Sequence, residues 1–523
     1  MPRPRWILLL AGLIVILLVA DGASVPVVRS RADDAGDAAR PPSAPSAPGS
    51  APTAPAPTAP ATTAPVRTAP APPPTWTRCG QLECATLQVP LDHSDPAGRK
   101  IGIALNRRRA SDPARRIGSL LVNPGGPGGS GVDNLPLILG RLSARVKAQF
   151  DVVGFDPRGV GRSAPVRCLP TAELAAYFAV DPSPDDQAEK AVLIGATERF
   201  VAGCTQRSGD LLPHIGTPDA ARDMDLIRAA VGDEKLTYVG YSYGTSLGAT
   251  YAELFPDRVR ALILDAAVDP ALDTIALNRA QGESFDRVFD SFAGACRADP
   301  ACAWKPAGGA SKAAFVALAA RVDASPVAAG RRRLGPAELV TGVAAFLYSR
   351  QTWTVLARGL AQVEAGNGTV VLQAFDTLVE RRPDGSYSNS QEANVSVNCL
   401  DNPAPRDVGA YERAAAEAAR TAPAFGPSLA WFGLVCALWP VRPTGKAEPL
   451  RAPGSPPILV VGTTNDPATP FAWSEALAQQ LPQGRLLRHE GEGHTAYGQD
   501  DCTSTIGDAY LLTLQLPAGE LRC

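Results

Sequence analysis

The sequence predicts an α/β protein in which a mostly parallel central sheet carries helices on both faces and a large helical cap. Short β-like runs alternate with helical patterns, as expected for strands that are covered on both sides. The predicted strands are 101–106, 119–122, 151–155, 236–240, 261–264, 458–461 and 485–489. The long interval between the fifth and sixth strands contains Ala-rich amphipathic segments at 311–322 and 336–348, which predict helices that lie over the sheet.

The N-terminal region predicts export followed by a flexible spacer. Arg3 and Arg5 precede an apolar stretch over residues 6–20, which is shorter than the roughly 18 to 20 residues that a membrane-spanning helix needs and matches a secretory signal. An uncleaved membrane anchor is the alternative. The Pro-, Ala-, Ser- and Thr-rich segment that follows has almost no large apolar side chains to bury, so it predicts a disordered tether to the membrane or cell wall.

These patterns divide the chain into five predicted segments. A chain of 523 residues is too long for one compact core, which favours two folded units with extensions. The segments are a signal peptide or anchor at 1–23, a tether at 24–75, the first part of the sheet-containing core at 76–274, the helical cap at 275–445, and the C-terminal part of the core at 446–523.

Charge and cysteine content restrict the classes of ligand. The 50 basic and 52 acidic residues nearly cancel, which gives no reason to predict a nucleic-acid partner. In an exported chain the ten cysteines predict disulfides. No Cys-x-x-Cys pair is present and histidines are few, so neither a metal site nor an organic cofactor is predicted. Spacing and order favour five disulfides, although other pairings stay open: Cys79 with Cys84, Cys168 with Cys204, Cys296 with Cys302, Cys399 with Cys436, and Cys502 with Cys523.

A Gly-Tyr-Ser-Tyr-Gly motif at 240–244 directly follows a predicted strand. In that context Gly-x-Ser-x-Gly forms a sharp strand-to-helix turn that exposes the serine hydroxyl, and the next helix directs its N-terminal dipole at developing negative charge. The pattern repeats around Ser246, but Ser246 lies one turn further on, within the predicted helix, and is interpreted as a small packing residue. Ser242 is therefore the predicted nucleophile of an α/β-hydrolase.

A serine hydroxyl needs a general base, and the four histidines allow selection by elimination. In the α/β-hydrolase order the acid and the histidine follow the serine along the chain, which removes His93 and His214. Of the remaining two, His489 lies in a predicted strand. His494 lies in a glycine-rich loop just beyond that strand, from which it can reach Ser242, and is the predicted base.

The acid that orients the imidazole is expected at the end of a strand. Asp466 ends the strand at 458–461 and precedes a turn. Asp265 and Asp269 also follow a strand and are the alternatives. Asp466 is favoured because the next predicted strand leads directly to His494.

A glycine-rich segment at 123–131 follows the predicted strand at 119–122. A flexible turn and a phosphate-binding loop are alternative interpretations, but the phosphate loop would end in Gly-Lys-Ser/Thr, which is absent. The position favours an oxyanion loop, in which a backbone N–H binds the carbonyl oxygen as it becomes negative. The second donor would be the N–H of Tyr243, immediately after the nucleophile.

Together with the Gly-Phe-Asp-Pro-Arg-Gly-Val-Gly-Arg-Ser segment at 154–163, these motifs resemble those of the secreted bacterial tripeptidyl aminopeptidases, relatives of the prolyl aminopeptidases. The resemblance covers nearly all of 79–523. It implies a serine exopeptidase that releases tripeptides, other short peptides or single residues from free N-termini. It also implies a triad of Ser242, Asp466 and His494, with Gly126 as the oxyanion donor of the glycine loop and Gly125 as the alternative.

In such relatives the cap carries acidic groups that hold the substrate ammonium, since a charged amine that leaves water needs a partner. Asp401 is the predicted amine-binding residue because a disulfide at Cys399 would hold its backbone rigid. A solvated loop aspartate is the alternative. Arg158 is expected to brace loops near the site rather than to react.

Two other functions are compatible with the same motifs. An esterase or lipase would use the same triad on acyl esters, and cap chemistry would decide between ester and peptide. A non-catalytic hydrolase-fold binding protein is disfavoured because no triad member is missing. A serine at the nucleophile position also disfavours dehalogenases and epoxide hydrolases, which use aspartate.

Overall fold

The computed structural model describes residues 73–523, so the predicted signal segment and nearly all of the predicted tether lie outside the described residues. The described chain contains twelve strands and seventeen α-helices. The strands are β1 (Thr77–Cys79), β2 (Leu82–Pro90), β3 (Lys100–Arg108), β4 (Gly118–Asn123), β5 (Phe150–Phe155), β6 (Leu236–Tyr241), β7 (Val259–Asp265), β8 (Val327–Ala329), β9 (Arg332–Leu334), β10 (Ile458–Asn465), β11 (Gly484–Glu492) and β12 (Leu521–Arg522).

Ten of these strands form one sheet in the order β1-β2-β3-β5-β4-β6-β7-β10-β11-β12. Pairing is antiparallel from β1 to β5 and parallel from β5 to β12. All seven predicted strands are present, as β3, β4, β5, β6, β7, β10 and β11. The prediction missed β1, β2 and β12. β1 and β12 are very short, and β2 has no continuous apolar run because exposed Thr86 and Gln88 alternate with buried Leu87 and Val89.

Helices cover both faces of the sheet, which confirms the predicted fold class. Residues of β4 alternate between the faces, with Leu121 in one hydrophobic cluster and Leu120 and Val122 in the other. On the Leu121 side lie α5 (Thr217–Ala230), α6 (Tyr243–Leu254) and α16 (Phe471–Gln480). On the other side lie α1 (Gly131–Arg141), α2 (Ala144–Gln149) and α17 (Asp501–Thr513).

The chain between β7 and β10 is mostly helical and has its own hydrophobic cluster. The amphipathic segments predicted at 311–322 and 336–348 form α8 and α9, and a short β8–β9 hairpin that was not predicted joins them. The cluster also includes Leu174 of α3 and Phe200 of α4, which precede β6 in sequence. The remaining helices of the described chain are α3 (Thr171–Phe178) and α4 (Gln187–Ser208), which precede β6, and the nine helices between β7 and β10: α7 (Thr274–Ala298), α8 (Lys312–Ala324), α9 (Pro336–Leu347), α10 (Trp353–Glu364), α11 (Thr369–Leu378), α12 (Ser390–Asp401), α13 (Val408–Thr421), α14 (Gly426–Phe432) and α15 (Leu434–Ala437).

Five disulfides cross-link the described chain, and their pairing confirms the predicted one. They join Cys79 to Cys84, Cys168 to Cys204, Cys296 to Cys302, Cys399 to Cys436, and Cys502 to Cys523. Within residues 73–523 no helix combines the length and the apolar character that crossing a membrane requires.

Candidate active site

Ser242 occupies the turn between the carboxyl end of β6 and the start of α6. Its backbone has φ 56° and ψ −125°, a conformation that non-glycine residues rarely adopt and that costs roughly 1 to 3 kcal/mol. The Ser242 N–H donates to the Asp265 carbonyl oxygen at 2.9 Å, which fixes the turn to the neighbouring strand. Ser242 is partly exposed between buried Tyr241 and Tyr243, whereas Ser246 lies inside α6. The strained turn therefore lifts the Ser242 side chain above the sheet.

Asp466 and His494 come together at the carboxyl ends of β10 and β11. His494 Nδ1 lies 2.8 Å from Asp466 Oδ2 and 2.9 Å from Oδ1. The Asp466 side chain is fully buried, and its Oδ1 also accepts hydrogen bonds from the N–H groups of Ala468 and Thr469, both at 2.8 Å. A carboxylate held in this way fixes the imidazole tautomer that carries its proton on Nδ1 and leaves Nε2 as a base.

Electrostatics around His494 favour its protonated form. Burial alone lowers the pKa of His494, but the charge and hydrogen bond of Asp466 more than offset burial, so the pKa is raised above its usual value. The imidazole is therefore a stronger base than a free histidine. Within residues 73–523 no hydrogen bond joins the Ser242 hydroxyl to His494, and such bonds commonly tighten only when substrate binds.

Thr469 is a member of the site that sequence reasoning missed. Its hydroxyl donates to Asp466 Oδ2 at 3.0 Å and lies 3.4 Å from His494 Nδ1, while its N–H binds the other carboxylate oxygen. The Asp-Pro-Ala-Thr spacing, in which a threonine follows an aspartate by three residues at a turn, is the signal that could have identified it.

Thr469→Val is expected to lower kcat/KM by about 10- to 100-fold, because it removes one hydrogen bond to the charged, buried carboxylate but leaves the backbone donors in place. Steady-state kinetics on one chromogenic substrate would measure this effect. Thr469→Ser retains the hydroxyl and is the matched control, with activity close to that of the wild type. Equal losses in both variants would contradict a specific role of the hydroxyl and would show that the site depends on the full shape of the threonine side chain.

The glycine loop after β4 lies directly against the nucleophile turn. A Cβ atom on Gly125 would be 2.8 Å from the Ser242 Cβ, so only glycine fits at this position. The Gly125 N–H donates to Asn123 Oδ1 at 2.9 Å and is thereby occupied. The hydrogen bonds of the described residues leave the N–H groups of Gly126 and Tyr243 without a partner. Of the two glycines, Gly126 therefore has the free donor that an oxyanion site needs.

Asp265 and Asp269, the alternative acids, do not contact the imidazole through a hydrogen bond. Asp269 Oδ1 accepts from the Ala271 N–H and from Gln480, which makes it a turn residue. Asp265 is fully buried, and its Oδ2 accepts from the N–H groups of Ala496 and Tyr497 at 2.9 and 2.8 Å. Burial raises the pKa of Asp265 to about 7, against the effect of these two hydrogen bonds. Its carboxyl group anchors the loop that carries His494, and its carbonyl oxygen binds Ser242.

The segment that follows α9 also contacts the histidine loop. The Tyr348 carbonyl oxygen accepts from the His494 N–H at 2.9 Å, and the Tyr348 ring meets the imidazole edge-on, with centroids 5.2 Å apart. An isolated bridge pairs Ser349 with Gly493. Tyr348 was not predicted, since no local pattern connects it to a residue so distant in the chain.

Asp401, the predicted amine-binding residue, lies at the end of α12 and reaches the nucleophile turn through Thr217. Its Oδ1 accepts from the Thr217 N–H at 2.8 Å and its Oδ2 from the Thr217 hydroxyl at 2.5 Å. Because that hydroxyl gives its proton to Asp401, the Tyr243 hydroxyl must donate to it, at 2.5 Å. Burial raises the pKa of Asp401 to about 7, although the bonds from Thr217 oppose the rise. Asp401 as a whole residue is partly exposed, and its carboxylate, which binds Thr217 through both oxygens, also caps the start of α5.

Arg158 is fully buried and connects the end of β2, the segment before α5 and α5 itself. Its guanidinium donates to the carbonyl oxygens of Pro90, Leu91 and His214 and makes two hydrogen bonds with Asp223. His93 belongs to the same cluster. Arg158 thus braces several loops.

Known families and individual relatives match most of the chain. Residues 118–306 match the family described as alpha/beta hydrolase fold, and residues 422–523 match the family described as TAP-like protein. Serine protease Hip1 of Mycobacterium tuberculosis is 37% identical over 481 residues, which cover 86% of this chain and 91% of the relative. Tripeptidyl aminopeptidase of Streptomyces lividans is 32% identical, with 86% of this chain and 84% of the relative covered.

A third relative carries a different name. Carboxylesterase B of Mycobacterium tuberculosis is 37% identical over 477 residues, which cover 87% of this chain and 90% of the relative. Relatives with names from both peptide and ester chemistry thus align over nearly the whole described fold. The chain is a serine hydrolase and belongs to the tripeptidyl aminopeptidase-like family of α/β-hydrolases.

Proposed function

We propose that this hydrolase is an aminopeptidase that releases tripeptides from free N-termini through an acyl-enzyme, with Ser242, His494 and Asp466 as its catalytic triad. The observation that carries the catalytic part is the hydrogen-bonded Asp466–His494 pair at the carboxyl ends of β10 and β11, on the same edge of the parallel sheet as the strained Ser242 turn. The relatives named tripeptidyl aminopeptidase and serine protease support the peptide substrate.

In this mechanism His494 Nε2 accepts the Ser242 proton while Oγ attacks the scissile carbonyl carbon. The carbonyl oxygen becomes negative and accepts hydrogen bonds from the N–H groups of Gly126 and Tyr243, at the N-terminus of α6. The His494 proton then passes to the leaving amine. Water, deprotonated by the same imidazole, attacks the acyl-enzyme and releases the tripeptide and the free serine. Asp466 keeps the imidazole oriented and stabilises its charged form throughout.

Asp401 is the proposed partner of the substrate ammonium. Two hydrogen bonds connect its carboxylate through Thr217 to Tyr243, the residue after the nucleophile. The contacts with Thr217 leave lone pairs on both oxygens for a third donor. An arriving ammonium would favour the ionised carboxylate and form a charge-assisted hydrogen bond.

Asp401→Asn is expected to raise KM for free-amine tripeptide anilides by about 10- to 100-fold relative to their N-acetylated counterparts, since a hydrogen bond to a charged group contributes about 1.5 to 3 kcal/mol. Paired measurements on the two substrate sets would test this. Asp290→Asn, which changes an exposed carboxylate on α7, is the matched control and should leave the ratio unchanged. An equal change in KM for free and acetylated substrates would remove Asp401 from amine binding.

The second candidate is an esterase, which the relative named carboxylesterase favours. A panel of chromogenic substrates separates the two functions. The panel would compare p-nitroanilides of one, two and three residues, with free and acetylated N-termini, with p-nitrophenyl esters of short and long acyl chains. The aminopeptidase proposal requires the highest kcat/KM on the free tripeptide. A preference for long acyl esters, with no effect of a free amine, would instead identify an esterase.

We also propose that the protein is exported and works outside the cytoplasm. The described residues contain five disulfides and no free cysteine, and disulfides persist in oxidising compartments. Export would place the enzyme among extracellular or envelope peptides, its proposed substrates. Mass spectrometry of the N-terminus, on protein recovered from culture medium and from the cell envelope, would test both export and retention of the N-terminal segment.

A further inference from the structure

One face of α12 carries a row of side-chain amides that the catalytic steps do not use. Asn394 and Asn398 of α12 and Asn402, the residue directly after the helix, are here called the amide stripe; they are spaced by four residues, so the two helical members share one face and Asn402 continues the row. They are partly exposed, whereas most of the helix is buried. Asp401 lies at the same edge of this face.

Both ends of the stripe contact residues that adjoin the nucleophile. At the first end, Asn394 Nδ2 donates to the Pro127 carbonyl oxygen at 3.0 Å, and a Cβ atom on Gly128 would collide with the Ser390 carbonyl oxygen. At the other end, Asp401 binds Thr217 and through it Tyr243. α12 therefore contacts the glycine loop at one end and, through Asp401 and Thr217, Tyr243 at the other, with Asn398 between these two contacts.

The stripe retains hydrogen-bonding capacity after its internal contacts are made. Asn398 Nδ2 donates to Asn394 Oδ1 at 3.1 Å, and Asn402 Nδ2 donates to the Asn398 carbonyl oxygen at 3.2 Å. Each side-chain amide has two N–H groups and two oxygen lone pairs, so each still offers a donor and an acceptor. A peptide group presents the complementary acceptor and donor, whereas an alkyl chain would leave these amides without hydrogen-bond partners.

The length of the stripe corresponds to a short peptide. Asp401 lies seven positions after Asn394, which at a rise of 1.5 Å per residue is about 10 Å along the helix. An extended peptide covers about 3.3 Å per residue, so about three residues fit between the glycine loop and the Asp401 carboxylate. The three amides of the stripe are uncharged, and the adjacent Asp401 is an acid. This arrangement is complementary to a peptide, which has an uncharged backbone and a positively charged N-terminus.

We propose that the amide stripe of α12 is the subsite that binds the backbone of the substrate's N-terminal residues, with the chain running from the glycine loop at Asn394 towards Asp401. This inference rests on the proposed aminopeptidase function and adds to it the residues that determine the preferred length of the released peptide. Asn398, in the middle of the stripe, binds one of the two peptide groups that lie between the terminal ammonium and the scissile bond of a tripeptide substrate.

Asn398→Ala is expected to lower the ratio of kcat/KM on Ala-Ala-Ala-p-nitroanilide to kcat/KM on Ala-p-nitroanilide by about 10-fold, as two neutral hydrogen bonds predict. The short substrate does not reach Asn398 and serves as the reference for an intact catalytic centre. Alanine favours helix more than asparagine does, so the fold is retained. Gln373→Ala, which removes an exposed amide from cap helix α11, is the matched control and should leave the ratio unchanged.

Asn398→Asp gives a second, directional test. It keeps the side-chain shape and places a carboxylate four residues from Asn394, about 6 Å along the helix, which is close to two extended residues. We expect the ratio of kcat/KM on Ala-Ala-p-nitroanilide to kcat/KM on the tripeptide anilide to rise at least about 10-fold, because the ammonium gains a partner nearer the nucleophile.

The outcomes separate this subsite from the function on which it rests. A wild-type enzyme that hydrolyses esters but no free-amine anilide would overturn both proposals. A wild-type enzyme that prefers tripeptides, with both ratios unchanged in Asn398→Ala and Asn398→Asp, would overturn the amide stripe alone. A uniform loss on all three anilides would also overturn it, since a structural defect has no preference for peptide length.

Discussion

Ser242→Ala is expected to reduce kcat/KM on every hydrolysed substrate by about 10⁴- to 10⁶-fold, with binding of substrate largely retained. The hydroxyl supplies the only atom that attacks the carbonyl in the proposed mechanism, and its loss leaves only the oxyanion donors and substrate positioning. Stability should change little, because the hydroxyl makes no hydrogen bond within residues 73–523 and is partly exposed. Steady-state kinetics with active-site titration of the wild type, together with thermal unfolding of both proteins, would test this.

Ser246→Ala is the matched control for that experiment. Ser246 is the centre of the second Gly-x-Ser-x-Gly pattern, four residues further along, but it lies within α6 rather than on the strained turn. Its replacement should leave kcat/KM within about 2-fold of wild type, as for a substitution away from the chemistry. The assignment of Ser242 would be overturned if Ser246→Ala lost activity and Ser242→Ala kept it.

Asp466→Asn is expected to lower kcat by about 10⁴-fold without unfolding the protein. The backbone N–H groups of Ala468 and Thr469 require an acceptor at the Oδ1 position, so the asparagine would turn its NH2 group towards His494 Nδ1. Nδ1 must then accept a hydrogen bond, so the ring proton moves to Nε2. A protonated Nε2 cannot accept the serine proton. The loss would thus arise from the wrong tautomer rather than from a missing group.

The pH profile gives a second readout of the same substitution. In the wild type Asp466 raises the pKa of His494, and activity requires the unprotonated imidazole, so the acid limb of kcat/KM lies above the usual histidine range. Without the carboxylate charge, burial dominates and the pKa of His494 falls, so the acid limb of the residual activity should move to lower pH. Asp269→Asn, a turn residue, is the control. An unmoved acid limb in Asp466→Asn would exclude Asp466 as the partner of the base.

Sequence patterns located the elements of the site because each pattern is local. The strand before Ser242, the glycines around it and the short path from Asp466 to His494 reflect backbone sterics and connection lengths within single segments. The choice of Gly126 over Gly125 as the predicted oxyanion donor came from the family resemblance rather than from these patterns. In the folded chain the Asn123 side chain occupies the Gly125 N–H, whereas the Gly126 N–H has no partner among the described residues.

Contacts between distant segments required the folded chain. The Asp401 carboxylate meets a residue 184 positions earlier in sequence, Tyr348 of the α9–α10 connection packs against His494, and the amide stripe lies along the glycine loop. None of these contacts has a local pattern, because they arise when helices pack over the sheet.

By itself, then, the sequence determined the α/β class, the seven principal strands, the disulfide pairs it favoured and a short set of candidate reactive residues, since hydrophobic periodicity and turn chemistry act over a few residues. Only the tertiary structure decided what surrounds those residues: the hydroxyl of Thr469 on the buried acid, the anchoring of the histidine loop by Asp265, and the contact of Asn394 on α12 with the glycine loop. Burial and hydrogen-bond partners depend on which segments pack together, and packing is a property of the whole chain.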